Sequence, residues 1–223
     1  MTDLDLNREG IGMTSQRTRN RLVEQLRKLG IENETVLSVI SRTPRHLFLE
    51  SAIAHQAYDD KSLPIGYGQT ISRPYTVARM TELLLGSRSF LGKVLEIGTG
   101  CGYQSAVLSP FAGELFSVER IEPLHKRASR QLNDLGYRNI EFSLSDGSWG
   151  WEEQGPFDGI LAAASPEQVP QALMEQLADG GRLILPVGNE NQVLTLVIRD
   201  GDDFHTEVVE EALFVPFLPG IQR

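Results

Sequence analysis

The apolar positions of this chain follow two successive rhythms. From residue 14 to 48 they fall mostly at helical spacing. Leu22, Val23, Leu26 and Leu29 form one face of a helix that Thr14 or Ser15 would cap and Gly30 would end. Val36, Leu37, Val39 and Ile40 mark a second helix over 34–41; Pro44 stops it, and 45–48 begins a short third element. Residues 1–12 show no period and read as a mobile tail. The stretch 54–75 has no helical period either. Its content of Tyr58, Leu63, Ile65, Tyr67, Ile71 and Tyr75 is too apolar for a flexible linker, so an ordered, functional loop is expected. A helix over 76–85 follows, striped by Val77, Met80, Leu83 and Leu84.

From residue 93 strand and helix patterns alternate. Strands are expected over 93–97, 114–119, 140–144, 157–162 and 182–186, and helices over 102–111, 122–135 and 166–177. The runs 193–199 and 204–215 flank the turn Asp200-Gly201-Asp202-Asp203 and read as an antiparallel pair. The implied fold class is α/β: a doubly wound, mostly parallel sheet with an N-terminal helical extension and antiparallel C-terminal strands. In such a sheet ligands gather at the carboxyl ends of the strands.

The strongest chemical signal lies at the first of those ends. The apolar run Val94, Leu95, Ile97 passes into Gly98-Thr99-Gly100-Cys101-Gly102. Glycine tolerates positive φ and has no Cβ, so such a turn can bring its N–H groups close to a ligand. Glu96 sits inside the strand, where a carboxylate needs a polar partner. About 20 residues after Gly98, Glu119 ends the run 115–118, at the offset of an acid that takes ribose hydroxyls. A third strand end offers Asp146, an acceptor for an exocyclic amine, and Gly147, which admits close backbone approach. The spacing is G-x-G-x-G, not the dinucleotide G-x-G-x-x-G. With its two acids it resembles the S-adenosylmethionine site of Rossmann-like methyltransferases.

Bulk properties narrow the class. The 223 residues carry a net charge of -9, which argues against nucleic-acid and anionic-membrane partners. No apolar run reaches bilayer-spanning length and no signal-peptide core opens the chain, so a cytoplasmic protein is expected. The single cysteine, Cys101, lies between two glycines of the turn and reads as a space-filling residue. No Cys/His cluster suggests a metal. His46, flanked by Arg45 and apolar residues, reads as structural. Trp149 and Trp151 could wall the pocket or pack beneath a loop.

Beyond the turn, several stretches are similar to the protein-L-isoaspartate O-methyltransferase family. They are 63–75 (Leu-Pro-Ile-Gly-Tyr-Gly-Gln-Thr-Ile-Ser-Arg-Pro-Tyr), 80–84, 94–104, 117–120, 156–158, 186–188 and 214–216, in order from about residue 14 to 216. The resemblance implies methyl transfer from S-adenosylmethionine, leaving S-adenosylhomocysteine, to the free α-carboxylate of L-isoaspartyl residues in damaged proteins. The ester then collapses to a succinimide, which starts repair. By the resemblance Ser72 is the active-site residue, and Gln69, Thr70, Ile71 and Ser72 cover cofactor and substrate carboxylate. The expected cofactor contacts are these four with Glu96, Gly98, Thr99, Gly100, Gly102, Glu119, Arg120, Asp146 and Gly147; no metal is expected. The partners implied are isoaspartyl proteins and peptides, acted on by a monomer. One domain over 13–223 is expected, with helices and covering loop in 13–90 and the S-adenosylmethionine-binding core in 91–223. Arg73, Cys101, Ser145, the run 161–164 and Leu213 depart from the family's usual residues; Leu213 stands where Arg is common. Two rival readings are a methyltransferase with a changed acceptor and a module that binds without turnover.

Overall fold

The computed structural model describes residue 10 and residues 12–223; the expected mobile tail, 1–12, falls mostly outside the described residues. The chain divides into two compact units, one up to Glu82 and one from Leu83 onward.

In the first unit, α1 (Gln16–Lys28) buries Leu22, Val23 and Leu26, the predicted stripe. Ser15 occupies its N-cap, though its side chain makes no capping bond. Helix α2 (Glu34–Arg42) buries Val36, Leu37, Val39 and Ile40. Its cap is Asn33, whose side chain accepts from the Thr35 and Val36 N–H groups. Glu82 adds acceptors for the Glu32 and Asn33 N–H groups at 2.8 and 2.7 Å. His46 Nδ1 lies 2.7 Å from the Tyr58 hydroxyl, and burial pushes that phenol up to about 12.

The stretch 54–75 is not a loop throughout. It contains a hairpin of β1 (Leu63–Gly66) and β2 (Gln69–Ile71), antiparallel, with Leu63 opposite Ile71. The turn residues Tyr67 and Gly68 both have positive φ, +56° and +69°. Both being left-handed makes this a type I′ turn, whose twist matches that of the strands. Leu63, Ile65 and Ile71 are buried, a period of two too short to stand out in sequence. Helix α3 (Pro74–Leu85) follows, and Asp60 accepts its Tyr75 N–H at 2.8 Å.

The second unit holds a seven-stranded sheet in the order β5-β4-β3-β6-β7-β8-β9. The strands are β3 (Leu91–Ile97), β4 (Ala112–Glu119), β5 (Ile140–Leu144), β6 (Phe157–Ala162), β7 (Leu177–Val187), β8 (Gln192–Asp200) and β9 (Asp203–Ala212). The first five run parallel, and β8 and β9 add antiparallel strands. Helices α4 (Tyr103–Leu108), α5 (Glu122–Asp134) and α6 (Gln171–Glu175) fall between strands. Strand β3 is apolar because neighbours flank it and both faces are covered: Val94, Leu95 and Ile97 are all buried. The core gathers Leu95, Ile97, Phe116, Val118, Ile160 and Leu183 with their neighbours. Asp158 ties the amino ends of the central strands together, accepting the Gly92 and Lys93 N–H groups at 2.7 and 2.9 Å.

Three expectations shift here. The helix over 166–177 is reduced to Gln171–Glu175, because Pro166 and Pro170 supply no N–H to a helix. Strand β7 starts at Leu177, not 182: Gly180 (φ +70°) and Gly181 form a bulge within it. Likewise β9 ends at Ala212 rather than 215.

Candidate active site

The strand order reverses at β3: β4 and β5 lie to one side of it, β6 and β7 to the other. Ligands of open α/β sheets sit at the carboxyl end of such a switch point. The Gly-rich turn stands there, Glu119 ends β4, and Asp146 follows β5, so three of the predicted elements converge on one edge.

The turn is built on left-handed backbone, with φ of +93° at Gly98, +56° at Gly100 and +87° at Gly102. Gly98 and Thr99 donate to Val118 O at 2.8 and 3.2 Å, which fastens the turn to β4. The Gly100 N–H donates to Glu119 Oε2 and the Ile121 N–H to Oε1, both at 2.8 Å. Each carboxylate oxygen therefore keeps a further acceptor position, one for each of two vicinal hydroxyls.

Asp146 Oδ1 accepts the Ser148 N–H at 2.9 Å, and Oδ2 accepts the Gly220 N–H at 2.5 Å. Burial works against its ionised form, but the Gly220 and Ser148 donors outweigh it and hold the carboxyl below its usual range. A Cβ on Gly147 would come within 2.3 Å of Ile97 Cγ2, so this glycine is required by the close approach of the segment to the end of β3.

Beneath the turn lies a group of hydroxyls. Glu96 is completely buried and accepts from the hydroxyls of Ser105 and Ser117, the latter at 2.6 Å. The Thr99 and Ser117 hydroxyls are also 2.6 Å apart. Glu96 Oε1 has no hydrogen-bond partner among the described residues. Burial is the main influence on this carboxyl and raises it to about 7, with the Glu119 charge adding to the rise and the two serines opposing it.

The structure turns some of the expected contact side chains elsewhere. Glu96 and the hydroxyl of Thr99 face this interior network and brace the turn from below, leaving no surface of Glu96 for a ligand. The Arg120 guanidinium is directed at the C-terminal segment instead, donating to Gly220 O at 2.8 Å. Successive residues of a strand end face opposite ways, so Arg120 diverges from Glu119. Ser105 and Ser117 were not singled out as site residues. A signal for Ser117 was present: it is the register partner of Glu96, a second polar residue in a buried run.

The hairpin residues lie in the first unit. Thr70 is exposed, Gln69 and Ser72 are half-buried, and Ile71 is buried, which leaves only its main chain for any contact. Arg73 stacks on Tyr75, its guanidinium carbon 4.7 Å from the ring centre. The two tryptophans divide: Trp151 packs edge-on against Phe116 at 5.5 Å, while Trp149 is 74% exposed. Cys101 is buried. Among the described residues no group of three or more His, Cys, Asp or Glu could hold a metal, and no helix is long and apolar enough to cross a membrane.

A sequence model of the protein-L-isoaspartate(D-aspartate) O-methyltransferase (PCMT) family matches residues 16–221. The chain belongs to this family. A protein-L-isoaspartate O-methyltransferase of Alcanivorax borkumensis is 56% identical over 221 residues, covering 99% of this chain and all of that protein. A solved protein-L-isoaspartate O-methyltransferase superposes with a TM-score of 0.81 at 27% identity, over 92% of this chain and 67% of that one. A Plasmodium falciparum structure described as a β-aspartate methyltransferase (PCMT), in complex with S-adenosyl-L-homocysteine, gives 0.74 at 22% identity, over 90% and 98%. The Rossmann-like methyltransferase fold and S-adenosylmethionine dependence of protein-L-isoaspartate O-methyltransferases thus apply to this chain. Its edge suits that cofactor: left-handed glycines bare their backbone, Glu119 retains two acceptor positions, and Asp146 is ionised beside them.

Proposed function

We propose that this protein methylates the free α-carboxylate of L-isoaspartyl residues in damaged proteins and peptides, acting as a cytoplasmic monomer. The observation that carries the reading is that the family match, 16–221, spans the hairpin segment and both acids of the cofactor edge. S-adenosylmethionine supplies a sulfonium-activated methyl group. The chain's own groups then have three tasks. Glu119 accepts the two ribose hydroxyls, and Asp146 the exocyclic amine of adenine. The turn 98–102 presents its backbone to the cofactor, while Glu96 and Thr99 hold that turn in shape. Ser72 donates a hydrogen bond to the acceptor carboxylate and orients one oxygen for in-line attack, with Gln69 and Thr70 screening water. A carboxylate is already ionised at neutral pH, so no general base is needed, and none is assigned. The product ester closes to a succinimide, whose hydrolysis returns part of the material to aspartate.

The test pairs an isoaspartyl peptide with its aspartyl counterpart, using labelled S-adenosylmethionine. Base-labile label on the isoaspartyl peptide alone is expected. A base-stable product, or equal labelling of the two peptides, refutes the reading.

Ser72→Ala is expected to lower kcat about 10- to 100-fold, the worth of one hydrogen bond to a charged group, and to leave the S-adenosylhomocysteine Kd within about twofold. An unchanged kcat removes Ser72 from the mechanism.

A further inference from the structure

The segment 216–222 runs along the carboxyl edge of the sheet. Pro216 is bridged to Ser165, beyond the end of β6, and the Phe217 N–H donates to Ser165 O at 2.9 Å. The Phe217 ring lies against Gly147: its Cζ is 3.6 Å from where a Cβ would stand. At the far end Gln222 is bridged to Ile121, with its N–H donating to Arg120 O at 2.8 Å and its carbonyl accepting the Glu122 N–H at 2.9 Å. The segment thus passes from β6 to the ends of β5 and β4 and is tied down on both sides of Gly220.

Gly220 is the point of engagement. Its φ of +77° turns its two peptide groups in different directions. The N–H meets Asp146 Oδ2 and the carbonyl meets Arg120 Nε. The guanidinium also reaches Pro219 O at 3.4 Å. Among the described residues Asp146 is otherwise hydrogen-bonded by Ser148 alone, two residues away, through its N–H on Oδ1 and its hydroxyl. Bonds from a single neighbour leave a carboxylate free to rock about its terminal torsion; a donor from a distant segment, on Oδ2, fixes its plane.

We propose that residues 219–222 are a positioning strap, in which the Gly220 N–H, secured by Arg120 and the Gln222 pairing, orients Asp146 toward the exocyclic amine of the cofactor's adenine. This rests on the assignment of Asp146 to that amine. The strap adds a specificity device to the cofactor site: it sharpens discrimination for a 6-amino purine. It does not compete with the cofactor, because an acceptor position of the carboxylate stays open after Ser148 and Gly220 are bound.

The experiment compares S-adenosylhomocysteine with S-inosylhomocysteine, which lacks the amine, by calorimetry. Full-length protein is set beside a chain ending at Leu218 and beside Gly220→Pro, whose ring both deletes the donor N–H and forbids the strap's φ of +77°. Both variants are expected to bind S-adenosylhomocysteine about tenfold more weakly and S-inosylhomocysteine within about twofold of full-length protein. Equal weakening of both ligands reduces the strap to a structural part and overturns the proposal; unchanged affinities do so too. If one variant fails to fold, the other decides. Failure of the full-length protein to bind S-adenosylhomocysteine would overturn the cofactor assignment instead.

Discussion

Glu119→Ala is expected to weaken S-adenosylhomocysteine binding about 100- to 10,000-fold. Two hydrogen bonds from ribose hydroxyls to an ionised acceptor are lost, each worth roughly 1.5–3 kcal/mol, and every 1.4 kcal/mol is about tenfold in Kd. The Gly100 and Ile121 N–H groups lose their acceptor in the same substitution, which slackens the turn that faces the cofactor. Because the carboxylate touches the ribose and not the reacting atoms, kcat at saturating cofactor should fall far less than affinity. Calorimetric titration with S-adenosylhomocysteine and a kcat measurement at high S-adenosylmethionine together check this. An affinity within about threefold of the parent would remove Glu119 from the cofactor site.

The largest stability effect is expected at Glu96. Burial raises its folded-state value to about 7 from an ordinary 4.5, and the Glu119 charge contributes while Ser105 and Ser117 oppose. Between those values the folded chain holds a proton that the unfolded chain has released. The stabilisation from this group is therefore complete below about 4.5 and is lost as pH rises through about 7, amounting to roughly 3 kcal/mol over the window. The unpartnered Oε1 explains the direction, since a neutral carboxyl costs less than an anion where no donor meets it. Glu96→Gln keeps the shape and removes the titration. Urea unfolding from pH 5 to 8.5 should show the variant gaining on the parent by up to that amount, with most of the change complete by pH 7.5. Parallel stability curves would contradict it. Glu119→Ala, by removing a neighbouring negative charge, should move the parent's transition to lower pH.

The sheet was legible where burial and run length coincide. Strands β3 to β6 emerged within two residues of their observed bounds: β3, β4 and β6 read as buried, largely apolar runs, and the edge strand β5 as the alternation Ile140, Phe142, Leu144 closed by Ser145-Asp146. The hairpin escaped because three- and four-residue strands give too few alternations to register. Prolines at 166 and 170 shortened the expected helix, and a glycine pair that reads as a break proved to be a bulge inside β7. In the site, Glu119, Asp146 and the turn glycines could be read because each closes a run. The roles of Thr99 and Ser105 could not, since they depend on which side chains of the turn and the following helix meet the strands beneath them; Ser117 left only the trace of a polar residue in a buried run. The Arg120 and Gly220 contacts were invisible for a simpler reason: their partners lie 100 and 74 residues away.

That separation has a consequence for the order in which the molecule is built. A ribosome that has released β3, β4 and β5 has already produced Glu119, Asp146 and the glycine turn, whose mutual contacts span about 20 residues. The donor for Asp146 Oδ2 lies 74 residues further along the chain. Contacts of long sequence separation form late because closing the intervening loop costs entropy before the contact returns any stability. A nascent chain will therefore hold its nucleoside acids well before it can orient both of them, and full cofactor recognition will wait until residues 219–222 have emerged. Pulse-labelled chains arrested near residue 200 offer a direct view of that interval.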